Sequence, residues 1–348
     1  MNTIELHDQV WQQLRARRAQ LPHALLITGQ RGIGKFDLAR RFAESLLCEN
    51  VTPAGSACGS CLACGWLAQG NHPDLRLLQP DALAENESSE AVEGEGGGGR
   101  KKASQQITID QVRGLDAFLH LGTHRHGVRV VLLSPAEAMN RATANTLLKS
   151  LEEPIANTLF ILVVSEPHRL LPTIRSRCQS VPVRRPSRHL AVQWLGQAGV
   201  NDAIDDWLAL AGGSPLLAVE LAGSGERALL DALLAQVART EGFDPLAAAA
   251  NLDKLVKADK RPAPLKRTLD WAQKWLFDLT LASAGLSPRY FLPQAPLLQR
   301  LARATDTGKL LAFNRKALQY KAQCEQPLNS RLFLEDFFLT YAGLFRTS

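Results

Sequence analysis

The feature that most constrains the fold is a glycine-rich stretch, residues 29–36, between a short apolar run and a helical pattern. The apolar run 24–28 predicts a buried strand, and the apolar spacing over 35–47 predicts an amphipathic helix. In a strand-loop-helix unit, backbone N–H groups of the loop and the helix N-terminus cradle phosphates. The sequence therefore predicts a phosphate-binding loop, and a glycine-rich turn without a ligand is the alternative. Its candidate nucleotide-binding residues are Gly29, Gly32, Gly34 and Lys35.

The loop lacks the groups that metal-assisted ATP hydrolysis requires. Its eighth position is Phe36, where a Ser or Thr hydroxyl would bind Mg²⁺. After the apolar run 128–133, Ser134 and Pro135 occupy the positions where a pair of carboxylates is expected. Glu137 follows, and we expect it at the start of a helix, where the helix dipole favours a carboxylate. These residues leave ATP or ADP binding open and predict no intrinsic hydrolysis.

Four of the six cysteines have the spacing C-x₉-C-x₂-C-x₂-C. Four thiolates at the vertices of a tetrahedron form a closed structural zinc site, and x₂ spacings let a tight turn present adjacent ligands. We therefore predict structural Zn²⁺ in the loop 48–64, with unligated thiols or a redox pair as alternatives. The predicted ligands are Cys48, Cys58, Cys61 and Cys64.

No apolar run approaches the ~18 residues that span a bilayer, and the acidic Glu5 and Asp8 do not fit a signal peptide. We expect a cytoplasmic protein without membrane contact. The formal net charge is +6. This charge is compatible with a polyanionic partner and equally with ordinary solubility.

The composition changes along the chain. The apolar runs 128–133 and 159–164 are typical of strands buried on both faces of a parallel sheet, and a helix is predicted between them at 145–153, ended by Pro154. Residues 81–104 are acidic, then glycine-rich, then basic, and we expect a disordered insertion there. After about residue 183 the pattern is helical to the end of the chain.

Four elements together resemble the clamp-loader branch of the AAA+ family. They are the phosphate loop, the cysteine cluster, the segment Leu-Leu-Lys-x-Leu-Glu-Glu-Pro within 145–154 and the tripeptide Ser176-Arg177-Cys178. The similarity covers nearly the whole chain, is strongest over 23–183 and is weakest in the last hundred residues. The last two elements are specific to clamp loaders, whereas a phosphate loop alone is not.

The resemblance implies an α/β fold: an AAA+ parallel-sheet domain over 1–182 with the zinc loop, a small helical lid domain over 183–225, and a helical collar domain over 226–348. It also implies that Arg177 is an arginine finger, projecting into the ATP site of a neighbouring motor subunit. Without the resemblance, Arg177 would be one of several basic residues on a solvated face. Leu216 stands where motor subunits carry an arginine that senses phosphate, and Ser165 could fill a polar sensor position.

The resemblance therefore implies a non-hydrolysing subunit of the DNA polymerase III clamp loader. Its implied partners are the motor (tau/gamma) and delta subunits in a hetero-oligomer and, through that complex, the sliding clamp and primed DNA. A self-sufficient AAA+ ATPase acting on DNA is the alternative. A zinc module that binds nucleic acid is disfavoured, because the cysteine loop lacks interleaved basic and aromatic residues.

Overall fold

A computed structural model of the chain describes residues 3–83, 104–120, 123, 127–225, 227–239, 242–259, 263–323 and 329–345. Backbone contacts divide the chain into two compact units, Met1–Leu190 and Ala191–Ser348. Among the described residues, no helix has the length and apolarity needed to cross a bilayer.

The first unit is built on a five-stranded sheet in which each strand pairs in parallel with its neighbours, in the order β2-β3-β4-β1-β5. The three central strands are almost fully buried, as their continuous apolar runs predict. The predicted parallel α/β fold is therefore confirmed. The strands are β1 (Ala24–Thr28), β2 (Leu75–Leu78), β3 (Arg129–Leu133), β4 (Thr158–Val164) and β5 (Gln179–Pro182).

Helices cover both faces of this sheet. Successive side chains of one strand point to opposite faces, so Ile27 of β1 joins the core with Phe42, whereas Leu26 joins the core with Leu147. The helices of this unit are α1 (Asp8–Ala16), α2 (Lys35–Leu47), α3 (Leu62–Ala68), α4 (Ile109–His120), α5 (Arg141–Glu152) and α6 (Pro172–Arg177), and α7 (Arg188–Gln197) begins at its boundary.

Helix α2 has the predicted bounds, whereas α5 begins four residues before the predicted helix. The side chain of Asn140 caps α5, because its Oδ1 accepts a hydrogen bond from the backbone N–H of Thr143 at 2.9 Å. Helix α5 ends at Glu152, before Pro154.

Residues 84–103, most of the predicted disordered insertion, lie outside the described residues. The two ends of the insertion are described: residues 81–83 are helical, and the backbone N–H of Ala82 donates to the carbonyl of Ser104 at 3.1 Å. The Asp81 carboxylate accepts a hydrogen bond from Gln111 Nε2 at 3.1 Å. The insertion therefore leaves and re-enters the fold at one place.

In the part of the second unit that the structure describes, all regular structure is helical, as predicted. One continuous apolar core runs through these helices, and Trp275 and Tyr341 lie fully buried in it. A boundary between a lid at 183–225 and a collar at 226–348 stays a prediction. The helices are α8 (Ile204–Leu210), α9 (Pro215–Gly223), α10 (Arg227–Val237), α11 (Pro245–Ala258), α12 (Pro264–Ser283), α13 (Ala295–Arg303), α14 (Thr307–Gln323) and α15 (Ser330–Ala342).

Candidate phosphate loop, metal centre and arginine finger

The glycine-rich loop connects β1 to α2 at the carboxyl edge of the sheet, which is the predicted context. Gly32 and Gly34 have φ angles of +75° and +92°, a left-handed conformation that favours glycine. Gly29 is required for a different reason, since a Cβ atom there would lie 2.4 Å from the carbonyl oxygen of Val183. The backbone conformation therefore requires or favours glycine at these three positions of the predicted phosphate loop.

The ammonium group of Lys35, the first residue of α2, forms hydrogen bonds to oxygen atoms of the protein. The side chain is only 5% exposed, and Nζ donates to the carbonyl oxygen of Gln30 at 2.7 Å and to Ser165 Oγ at 3.1 Å. Burial is the main reason that the pKa of Lys35 falls to about 8; the Glu137 carboxylate opposes this shift and the charge of Arg31 adds to it. The loop lysine therefore already has oxygen partners without a phosphate.

Glu137 connects this lysine to the end of β4. It lies in a 3₁₀-helix, Ala136–Ala138, and its Oε1 accepts hydrogen bonds from the backbone N–H groups of Ser165 at 2.8 Å and Glu166 at 3.3 Å. The sequence predicts Glu137 at the start of a helix, and it does lie in the first turn of this 3₁₀-helix. Its carboxylate also satisfies backbone N–H groups that directly follow β4. The same contact holds Ser165 next to Lys35.

His7 contacts the loop from the other side. This buried side chain places Nε2 2.5 Å from the carbonyl oxygen of Ile33. Burial lowers the pKa of His7, the hydrogen bond to Ile33 opposes that shift, and the charge of Lys35 adds to it. A neutral imidazole that donates through Nε2 fits these surroundings. A single histidine near the N-terminus gave no sequence signal for this role.

The positions that would bind a catalytic metal ion are filled as the sequence predicts. Phe36, the second residue of α2, is partly buried against the apolar core and offers no side-chain oxygen. Ser134 directly follows β3, is buried, and carries no carboxylate. Among the described residues, these two positions therefore offer neither the hydroxyl nor the carboxylate that would bind Mg²⁺ there.

The four predicted cysteines lie together, with all four sulfur atoms within 4.8 Å of one another. The Sγ of Cys48 is 3.9 Å from that of Cys61 and 3.6 Å from that of Cys64, and Cys58 Sγ is 3.9 Å from Cys64 Sγ. A tetrahedron with metal-sulfur bonds of about 2.3 Å has edges of about 3.8 Å. The donor set therefore fits one tetrahedrally bound metal ion.

Helix ends and backbone N–H groups position these thiols. Cys48 directly follows α2 and Cys61 caps α3, accepting from the N–H of Cys64 at 3.4 Å. The backbone N–H of Ser60 is the main reason that the pKa of Cys58 falls to about 6, whereas burial raises the pKa of Cys64. A bound cation would hold all four groups as thiolates.

The loop between the first two cysteines is tied to α1. The indole Nε1 of Trp11 donates to the carbonyl oxygen of Ala54 at 3.1 Å, and Arg15 Nη2 donates to the carbonyl of Pro53 at 2.9 Å. A metal ion would therefore fasten a loop that already contacts the core of the first unit. It would have no open position for catalysis, because all four ligands come from the protein.

Arg177 is the last residue of the short helix α6, and its side chain is 35% exposed. Nη1 donates to the carbonyl oxygen of Thr173 at 2.9 Å, and Nη2 lies 2.6 Å from Glu152 Oε1. The helix beneath it is anchored by Ile174, which is fully buried, and by Cys178, whose thiol has a pKa raised to about 11 by burial. The partly exposed guanidinium therefore lies at the end of a short helix that is packed into the unit through Ile174.

Comparison with known proteins gives the family. A family model described as "DNA polymerase III, delta subunit" matches residues 6–187, and one described as "DNA polymerase III, delta subunit, C terminal" matches 227–342. The chain is 36% identical to the DNA polymerase III subunit delta' of Pseudomonas aeruginosa over 345 residues, which is 96% of each chain. The chain belongs to the DNA polymerase III delta-prime family. The resemblance noted in the sequence is thereby confirmed.

Other relatives match over shorter lengths. Identity to the delta-prime subunit of Escherichia coli is 35% over 202 residues, 57% of this chain and 54% of that one. Identity to the gamma/tau subunit of Mycobacterium bovis is 32% over 200 residues, 56% of this chain and 31% of that one. A crystal structure of a gamma subunit-related protein from Thermotoga maritima aligns at a TM-score of 0.44 and 19% identity, over 97% of this chain and 99% of that one.

Proposed function

We propose that this member of the delta-prime family is a non-hydrolysing subunit of the DNA polymerase III clamp loader, and that it supplies Arg177 to the ATP site of a neighbouring motor subunit. The observation that carries the proposal is the guanidinium itself: partly exposed, on an anchored helix end, within the Ser-Arg-Cys element. A guanidinium is always charged and matches phosphate oxygens bidentately, which suits it to stabilising a transferring phosphoryl group.

The chain's own loop supports the first half of the proposal. Phe36 lacks the hydroxyl, and Ser134 lacks the carboxylate, that metal-assisted hydrolysis needs at these two positions. Lys35 is engaged by Gln30 and Ser165, so a nucleotide would have to compete with bonds that already exist. In this proposal the subunit does not hydrolyse ATP itself and acts in ATP hydrolysis by the neighbouring motor subunit.

The partners that we propose are the motor (tau/gamma) and delta subunits, assembled with this chain in a cytoplasmic hetero-oligomer that acts on the sliding clamp and primed DNA. The proposed metal is Zn²⁺, because a set of four thiolates in a tetrahedron is the usual structural zinc site. It would stabilise only the loop 48–64, whereas Arg177, the residue that we propose acts on a neighbour, lies in α6.

The competing function, a self-sufficient ATPase, is tested directly on the purified chain. With no other subunit present, we expect no ATP turnover above the rate of a Lys35→Ala control. Turnover that Lys35→Ala abolishes would overturn the non-hydrolysing assignment. Mixing with the motor and delta subunits, followed by mass measurement of the intact complex, tests assembly independently of any activity.

Nucleotide binding by the isolated chain is expected to be weak, independent of Mg²⁺ and weaker at high pH. The phosphates would pair with Lys35 only in its charged form, whose pKa in the ligand-free protein is about 8. The contribution of Lys35 to the affinity is therefore fully present well below pH 8 and is lost as the pH rises above that value. Calorimetry with ATP and ADP from pH 7 to pH 9.5 measures this. Tight binding that requires Mg²⁺ would contradict the site described here.

A further inference from the structure

The guanidinium of Arg177 is held by an acidic residue on another helix. Glu152 is the last residue of α5 and belongs to the Leu-Glu-Glu-Pro segment, and its Oε1 lies 2.6 Å from Arg177 Nη2. The second contact, from Nη1 to the carbonyl of Thr173, comes from Arg177's own helix. Two oxygens on two separate elements therefore contact the guanidinium.

This arrangement leaves capacity for a ligand. A guanidinium carries five N–H groups. Nη1 donates to Thr173 and Nη2 is paired with Glu152, so three of the five N–H groups are not used by these two contacts. An arginine without such restraints samples many rotamers, and ordering it at each encounter costs free energy. Holding the side chain in advance removes part of that cost.

We propose that Glu152 is a positioning residue for Arg177, which orients the guanidinium for ATP hydrolysis in the neighbouring subunit. This inference rests on the proposed function of Arg177. A carboxylate beside the guanidinium also weakens its attraction for phosphate, so the proposal requires that orientation outweighs this opposing charge. Whether removing Glu152 lowers or raises kcat decides which is larger, the gain from orientation or the loss from the opposing charge.

The first test uses the reconstituted complex with DNA and clamp present. Glu152→Ala is expected to lower kcat for ATP by about two- to fivefold at the site facing this subunit, the range expected for an exposed pair. The KM for ATP should not change, since ATP binds in the motor subunit's own loop. Glu152→Gln, which keeps an acceptor oxygen, should lose less. The matched control is Glu153→Ala, an exposed neighbour in the same segment.

A double-variant comparison separates positioning from a general structural role. In an Arg177→Ala background, Glu152→Ala should have no further effect, because the group that it orients is gone. A rise in kcat on removing Glu152, an equal loss in the Arg177→Ala background, or an equal loss with Glu153→Ala would each overturn the proposal.

A second measurement does not depend on ATP hydrolysis. In the isolated chain, NMR of the guanidinium nitrogens should show restricted rotation for Arg177 in the wild type and in Glu153→Ala, and free rotation in Glu152→Ala. Unchanged Arg177 signals in Glu152→Ala would overturn the inference on positioning. If instead Arg177→Ala leaves clamp loading intact while the NMR result is as expected, the function proposed for Arg177 fails and the contact is only structural.

Discussion

Replacing Arg177 by alanine is expected to remove most of the ATP hydrolysis at the motor site that faces this subunit, and with it much of the clamp loading by the complex. Arginine fingers supplied in trans are worth about 10³ to 10⁵ in rate in nucleotide hydrolases. The loss measured for a complex with several motor sites will be smaller, because only one site is damaged. The assay is DNA- and clamp-stimulated ATPase together with clamp loading.

Three companion measurements make this result specific. Arg177→Lys should rescue poorly, because an ammonium keeps the charge and loses the planar fork. Arg175→Ala, an exposed arginine on the same short helix, should leave both rates near wild type. The melting temperature of Arg177→Ala should hardly change, since an exposed ion pair contributes at most about 1 kcal/mol. Wild-type rates in a fully assembled Arg177→Ala complex would show that Arg177 is only a surface residue and would contradict the trans mechanism.

The second large effect is expected from the cysteine cluster. The wild-type chain, free of any tag, should contain one zinc ion, and Cys61→Ser should lose most of it. A cross-link that closes a loop of about 15 residues contributes about 3 kcal/mol, so the melting temperature of a unit this large should fall by about 6 to 12 °C. Elemental analysis and calorimetry give the two numbers.

The control for the metal experiment is Cys178→Ser, which changes a cysteine of the same unit that lies outside the cluster. Its zinc content should equal that of the wild type. Wild-type protein without zinc would remove the structural-metal assignment. A Cys61→Ser variant that keeps both its zinc and its melting temperature would show that Cys61 is not a ligand.

The sequence was most informative where one local pattern determines the structure. The loop glycines, helix α2 and the buried strands β1, β3 and β4 follow from continuous apolar runs and helical spacing, which depend on neighbours within a few residues. The edge strands β2 and β5 were not predicted, because each is short and partly exposed and so lacks a continuous apolar run. The cysteine cluster was predictable since its spacing carries the chemistry of its ligands.

The side-chain contacts around the candidate sites could not be predicted from local sequence patterns. Glu137 reaches Ser165, His7 reaches Ile33, and Glu152 reaches Arg177, and each pair joins residues from different elements. Periodicity specifies which face of an element is buried and does not specify which polar side chains meet across it. Arg177 itself was recognisable only through the resemblance, because composition alone makes it one basic residue among several.

The bond between Trp11 and the cysteine loop has an optical consequence. The indole N–H of Trp11 donates to Ala54, and its ring meets that of Phe42 edge to face at 6.4 Å between centroids. Indole emission depends on the polarity around the ring and on its hydrogen bond. If a cation binds the four thiols and the loop loosens when it leaves, that bond would be released and water admitted to the ring. If the four thiols hold a cation, the emission of Trp11, one of six tryptophans in the chain, would therefore change when that cation leaves.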